Sequence, residues 1–252
     1  IYVENYLREL PAAIGIIGQP FWDLHWYQVV KKAKTLGKSL VSGDGGDELF
    51  GGYTFRYEKF LSLIKKNPTP LQKIKAYLEC HNRDWVPDQD ILFGREIKFS
   101  WNDIYSYFKD HFRNSLSSLQ QVMLADFNGK LLYDFIPTGR AITQYYGLKG
   151  SPIFLDSKII EFARHIPIEQ KYDLENHLGK LILRKIANRL GVEHINDKKG
   201  FSPSLYFDWK KFGRDVCTNY IMKKDSYVFK ENLINYDWTL KAFERIEDDG
   251  DI

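Results

Sequence analysis

Apolar residues recur at the spacing of one helix face along most of this chain. Ile104, Phe108 and Phe112 keep that spacing, as do Leu116, Leu119, Val122 and Met123, then Ile159, Ile160, Phe162 and Ala163, then Leu178, Leu181, Ile182 and Ile186. Recurrence at i, i+3 and i+4 predicts helices whose apolar stripe is core. Phe60, Leu61 and Ile64, followed by Leu71, Ile74 and Leu78, predict two further helices separated by Asn67-Pro68-Thr69-Pro70. Leu24, Tyr27, Val30 and Ala33 predict a helix over about 24–36, with Asp23 as its N-cap and Gly37 as its stop. Within residues 1–20 the apolar run Ala12-Ala13-Ile14-Gly15-Ile16-Ile17 ends at Gly18 and Pro20, which reads as a helix followed by a loop. One stretch departs from this texture: Lys38-Ser39-Leu40-Val41 is short and apolar-cored and predicts a buried strand over 38–42. Helix, strand and glycine turn in succession make one α/β unit. Residues 84–100, punctuated by Pro and Asp, read as loop, and the acidic stretch Glu244 to Asp251 reads as a fraying, solvated end. The expected fold class is therefore α/β, with the end of an α/β layer in 1–53 and a mainly helical part in 54–252 packed on it.

Composition narrows the function classes. The 252 residues are 44% hydrophobic, enough for a sizeable core, and 17 Phe, 16 Tyr and 6 Trp supply much of it. A balance of 36 basic against 33 acidic residues leaves +3, too slight to argue for nucleic acid. Cys80 and Cys217 are far apart and lack metal-ligand spacing, so neither a disulfide framework nor a zinc site is expected. A reducing, cytoplasmic setting follows. No apolar run approaches the ~18 residues of a membrane span. The chain opens on Ile1 with no leader pattern, and the expectation is that it begins inside a longer protein.

The candidate chemistry centres on Ser42-Gly43-Asp44-Gly45-Gly46-Asp47-Glu48-Leu49-Phe50-Gly51-Gly52-Tyr53, directly after the predicted strand. Glycines let a ligand approach the main chain, and carboxylates beside such a turn suit a hard cation such as Mg²⁺. A glycine-rich turn at the carboxyl end of a strand is where α/β sheets bind ligands. A metal-and-phosphate site is one reading; a tight strand-to-helix connection with solvated acids is the other. Neither the EF-hand spacing nor a Walker A loop is present. Asn196-Asp197-Lys198-Lys199-Gly200-Phe201-Ser202 is either a solvated turn or a source of cations for polyphosphate. Gly179-Lys180-Leu181-Ile182-Leu183-Arg184 reads as the basic face of a helix, and Asp156 as the cap of a helix starting near 157. The six histidines are scattered and form no catalytic triad pattern.

Ser42 to Tyr53 resembles the S-G-[ED]-G-x-D-E-x-F-G-G-Y signature of the asparagine synthetase family, whose synthetase domain also occurs in β-lactam synthetases and lasso-peptide cyclases. Family segments D…F-L-D, P-x-x-x-K, G-K-x-x-L-R and K-[KE]-[GA]-F are similar to Asp126…Phe154-Leu155-Asp156, Pro167…Lys171, Gly179-Lys180…Leu183-Arg184 and Lys198-Lys199-Gly200-Phe201, in consistent order from about residue 20 to 210. The resemblance implies the end of an adenine-nucleotide α-hydrolase-like (PP-loop ATPase) parallel sheet followed by a mostly helical region. It implies ATP and Mg²⁺ as cofactors, and activation of a carboxylate as an acyl-adenylate that an amine then captures. By the same resemblance Ser42 and Gly43 touch the nucleotide, with Lys199 beside it. Asp44 acts on the intermediate or the incoming amine, Asp47 holds Mg²⁺, and Lys198 stabilises charge at the α-phosphorus. The implied partners are a small carboxylate, aspartate above all, and ammonia or glutamine; a homodimer is compatible with it.

The chain also departs from the family pattern. The S-G-G-x-D-S phosphate loop and the glutaminase domain are not among these residues. Thr138 stands where the family has lysine, Arg140 where it has aspartate, Lys149 for glutamate, Ser151 for arginine and Ile153 for proline. Three readings stay open: asparagine synthesis in a longer protein, an amide- or lactam-forming synthetase acting on another carboxylate, and an inactive homologue serving as a binding module.

Overall fold

A computed structural model describes residues 6–19, 24–81, 88–192, 210 and 213–249. In chain order it contains α1 (Tyr6–Ile17), α2 (Leu24–Lys34), β1 (Ser39–Ser42), α3 (Gly46–Phe50), α4 (Thr54–Leu63), α5 (Pro70–Glu79), α6 (Gln89–Leu92) and α7 (Trp101–Phe112). There follow α8 (Ser118–Asp126), a π-helical segment Phe127–Phe135, α9 (Ile136–Tyr145), β2 (Lys149–Pro152), α10 (Ser157–His165), the strand pair β3 (Tyr172–Asp173) and β4 (Leu178–Gly179), and α11 (Leu181–Arg189). Beyond these lie a short helix at Arg214–Val216 running into a π-helical turn at Cys217–Ile221, a helical turn at Tyr227–Lys230 and a helix at Tyr236–Asp249. The architecture is α/β, mostly helical with a small parallel sheet. It divides into two compact units, one from residues 1–81 and 108–198, the other from 82–107 and 199–252.

In the first unit, β1 and β2 pair in parallel with Ser39 opposite Lys149 and Ser42 opposite Pro152. Leu40 packs on a core of Ala13, Leu24, Tyr27, Val30, Ile142 and Leu148, contributed by α1, α2 and α9 and the turn after it. Side chains alternate faces along a strand, so Val41 points the other way, where it is 65% exposed. The strand was expected to be buried; one of its faces is only half-buried and the other exposed, because the α1/α2/α9 cluster packs against a single side. A second cluster, Leu49, Phe50, Ala163 and Ile166, seats α3 against α10.

Helix starts follow local chemistry. Thr69 accepts from the Gln72 N–H and Gln72 returns a bond to Thr69 N–H, a capping box with Pro70 at the first helical position. Ser117 and Gln120 repeat the device at α8, and the Asp156 side chain caps α10 through the Lys158 N–H at 2.9 Å, as the sequence suggests. The π segment is not visible in the apolar pattern. It ends beside Pro137, which lacks an N–H and whose ring crowds the carbonyl four residues back; Ile136 N–H instead reaches the Leu131 carbonyl. Leu178, expected on a helix, lies on β4 because the helix begins only after Lys180, whose φ of 58° is left-handed.

In the second unit, α6 supplies a helical turn inside the expected 84–100 loop, whose residues 84–87 lie outside the described ones, as does Asp23. Gly94 N–H bonds the Leu233 carbonyl at 2.9 Å, and Phe93 bridges Ile234. The acidic stretch from Glu244 was expected to fray, yet the helix continues to Asp249. Asn235 caps its start, accepting from the Asp237 and Trp238 N–H groups at 3.0 and 3.2 Å. Among the described residues no helix is long and apolar enough to cross a membrane.

Candidate functional site

β1 delivers its last residue, Ser42, into the glycine-rich turn. The Ser42 hydroxyl donates to Asp44 Oδ2 at 2.7 Å, and the Gly46 N–H bonds the Gly43 carbonyl. Gly45, at φ 88°, starts α3 in a left-handed conformation that side chains resist, and a Cβ there would lie 2.5 Å from Leu155. The turn is thus built against the Phe154-Leu155 segment, which explains why those two distant motifs belong together. Gly43 and Asp44 stay accessible at the carboxyl end of the strand, Gly43 exposed and Asp44 half-buried.

Asp47 leaves α3 toward Lys180, and the Lys180 ammonium lies 2.9 Å from Asp47 Oδ1. Gly52 makes room for this pair, since a Cβ at 52 would sit 1.6 Å from Asp47 Oδ1 and 2.5 Å from the Lys180 side chain. The Lys180 N–H bonds the Phe50 carbonyl at 2.9 Å, the Leu181 N–H bonds the Lys171 carbonyl, and Arg184 Nε donates to the Gly179 carbonyl. The lysine of the G-K-x-x-L-R segment, read from sequence as part of a solvated helix face, is instead laid onto the acidic turn. Lys171 is half-buried, and loss of solvation lowers its ammonium pKa.

Behind the turn is a polar group that sequence reading missed. Glu48, 4% exposed, accepts from the Tyr53 hydroxyl at 2.7 Å. Burial pushes its carboxyl pKa up, the Tyr53 bond opposes that shift, and the neighbouring Asp47 and Asp126 charges add to it. The Arg56 guanidinium lies 4.1 Å from the Tyr53 ring centre and 3.7 Å from Asp126 Oδ1. Asp126, buried in α8, also accepts from the Tyr77 hydroxyl at 2.9 Å and faces His81 Nε2 at 3.5 Å. The Tyr77 carbonyl can only accept, so His81 Nδ1, 2.8 Å away, carries a proton. Glu48 and Tyr53 lie inside the signature; Arg56, Tyr77 and His81 carry no sequence signal beyond helical phase.

The structure therefore brings Ser42, Gly43, Asp44 and Asp47 together on one turn and adds Lys180 to them. Lys198 and Lys199 lie outside the described residues. Among the described residues no three of His, Cys, Asp and Glu gather as a metal cage. The arrangement is a glycine-rich turn after β1 with one carboxylate, Asp47, set against one ammonium, Lys180.

Comparison with known proteins fits this geometry. No solved structure matches the chain. Asparagine synthetase [glutamine-hydrolyzing] 1 of Bacillus subtilis (strain 168) is 27% identical over 271 residues, covering 92% of this chain and 42% of that protein. The chain thus spans about two fifths of the length of this curated relative. The family model described as asparagine synthase matches residues 1–248, almost the whole sequence and both described units. With the signature turn, its Phe154-Leu155 support and the lysine of the later segment assembled at one place, the chain belongs to the asparagine synthase family.

Proposed function

We propose that this chain forms one wall of an ATP-dependent, amide-forming site, in which a carboxylate is activated by the nucleotide and passed to an amine. The Asp47–Lys180 pair, seated over Gly52 on the segment that follows β1, carries this reading. An adjacent carboxylate and ammonium suit a metal-bound polyphosphate: the ammonium meets phosphate oxygens, and the carboxylate meets the cation that neutralises them. Asp47 is the residue that would hold Mg²⁺. The donor set fits, because Mg²⁺ takes one or two carboxylates and completes its shell with water and phosphate oxygens. When bound, the metal neutralises charge developing on the departing pyrophosphate.

In this reading Ser42 and Gly43 contact the nucleotide and Asp44, oriented by the Ser42 hydroxyl, faces the activated acid or the incoming amine. Lys198 stabilises charge at the α-phosphorus, with Lys199 beside it. Among the described residues β1 pairs with β2 alone, and this edge together with the exposed face at Val41 supports a larger parallel sheet of the PP-loop ATPase kind continuing from this strand. Aspartate is the leading acid and glutamine-derived ammonia the leading nitrogen source. A homodimer and a cytoplasmic setting belong to the same proposal. A second acid is favoured by one observation: Thr138, where the family pattern has lysine, is buried and takes part in a 3.4 Å contact with Gln19 Nε2, so that position offers no ammonium to a substrate.

The test is ATP–pyrophosphate exchange by the full-length protein with Mg²⁺ and a panel of acids led by aspartate. Asp47→Asn and Lys198→Ala should each abolish exchange. Normal exchange in both variants would remove these assignments, and exchange with an acid other than aspartate would select the second reading. No exchange with any acid would favour an inactive homologue.

A further inference from the structure

The signature carries two adjacent acids, one turned outward and the other inward. Asp47 lies on the accessible side against Lys180, whereas Glu48 turns inward and is almost wholly buried. Burying a carboxyl costs stability that a leucine of similar size at this position would not cost. What Glu48 has in return is a bond from Tyr53, and Tyr53 in turn lies under the Arg56 guanidinium. Arg56 faces Asp126 at 3.7 Å, and Asp126 is tied to α5 by the Tyr77 hydroxyl. The chain of contacts runs from α3 through α4 to α8 and α5, its links being a hydrogen bond, a cation–π stack, an ion pair and a second hydrogen bond. Polar contacts of this kind fix a rotation that apolar packing tolerates loosely. α3 is a single short helix between two left-handed glycines, Gly45 and Gly51, so its own backbone hydrogen bonds do little to hold its rotation about its axis.

We propose that Glu48 is a positioning residue: bound to Tyr53 and linked through Arg56 to Asp126, it fixes the rotation of α3 and so the direction in which Asp47 faces Lys180. Residues i and i+1 on a helix are about 100° apart, so locking Glu48 inward sets Asp47 outward. The role rests on the reading of Asp47 as part of the nucleotide site, but the positioning itself can be measured without activity.

Hydrogen–deuterium exchange on the full-length protein reads it directly at two amides, Leu49, bonded to the Gly45 carbonyl, and Gly52, bonded to the Asp47 carbonyl. Glu48→Ala and Tyr53→Phe should each speed exchange there by about tenfold or more, the effect of losing one buried polar contact. The Lys73 amide, bonded to Thr69 in α5, should keep its wild-type rate. Glu48→Gln, which still accepts from Tyr53, should remain within about twofold of wild type. Unchanged rates at Leu49 and Gly52 in both disrupting variants would overturn the proposal. So would equal acceleration at Lys73, or a Glu48→Gln variant as fast as Glu48→Ala, since either would mean general loosening. In parallel, Glu48→Ala should raise the Mg²⁺ concentration needed for half-maximal ATP–pyrophosphate exchange. A wild-type protein silent in that assay would sink the synthetase reading and leave the hydrogen-exchange result to decide the positioning role.

Discussion

Gly52 shows how one missing atom shapes the site. Its hydrogen occupies the space where a Cβ would lie 1.6 Å from the Asp47 carboxylate. Gly52→Ala should therefore force Asp47 and Lys180 apart and destabilise the protein by about 1–3 kcal/mol, as overpacking usually does; urea denaturation measures this. Cys80 makes a different prediction. Its thiol is buried at the end of α5, and burial pushes its pKa up to about 12 from 9.0, eased in part by Lys59. The thiolate is the reactive form, so Cys80 should resist thiol reagents at pH 8 while the protein is folded. Because the folded pKa is raised, the protonated thiol contributes its full stabilisation below pH 9.0 and loses it as pH climbs toward about 12. Alkaline melting curves of Cys80→Ala should fall less steeply over that window than wild type. A variant with the same slope would show that folding does not raise the Cys80 pKa.

The elements are held by devices of two kinds. Caps are local: Thr69 with Gln72, Ser117 with Gln120, and Asp156 with Lys158 can all be read in a window of a few residues. Thr69→Ala should cost about 1 kcal/mol in chemical denaturation and leave nucleotide chemistry intact, since the polar link from α5 toward the turn, Tyr77 to Asp126, lies at the other end of that helix. A loss of exchange activity in that variant would mean the helix start is coupled to the site. The second kind is tertiary. The π segment between α8 and α9 packs its Phe127 on the Leu49-Phe50 cluster, and the left-handed Lys180 that starts α11 meets Phe50 and Asp47. Helical periodicity foretold α4, α5, α7, α8, α10 and α11, but not the register shift inside one continuous helix. An apolar pattern averages over a turn and cannot see one extra residue per hydrogen-bonded ring.

At the scale of the whole molecule, the small sheet is the feature with the widest consequence. A two-stranded parallel pair is exceptional, because parallel strands are normally covered on both faces. Val41, 65% exposed here, makes this testable. Val41→Lys should change the stability of the isolated 252-residue chain by no more than about 0.5 kcal/mol, as exposed substitutions do. In a longer protein that carries the phosphate loop on further strands, the same substitution should be clearly destabilising. Equal tolerance in both would argue that nothing covers this face of β1 in the longer protein.

What the sequence determined alone was whatever depends on near neighbours: the helices with their caps, the short strand, and the turn from Ser42 to Tyr53 whose glycines and acids are contiguous. Family membership was legible for the same reason, since a twelve-residue run keeps its order without any fold. Only the tertiary structure decided which acid of the Asp47-Glu48 pair faces outward and that Lys180 meets it. It alone showed that Glu48 answers to Tyr53, Arg56 and Asp126. These are directional contacts between residues up to 133 positions apart, as Lys180 is from Asp47. Burial, not local propensity, selects them: the side of α3 that meets α8 and α10 must hide its side chains, and the opposite side is left for Asp47.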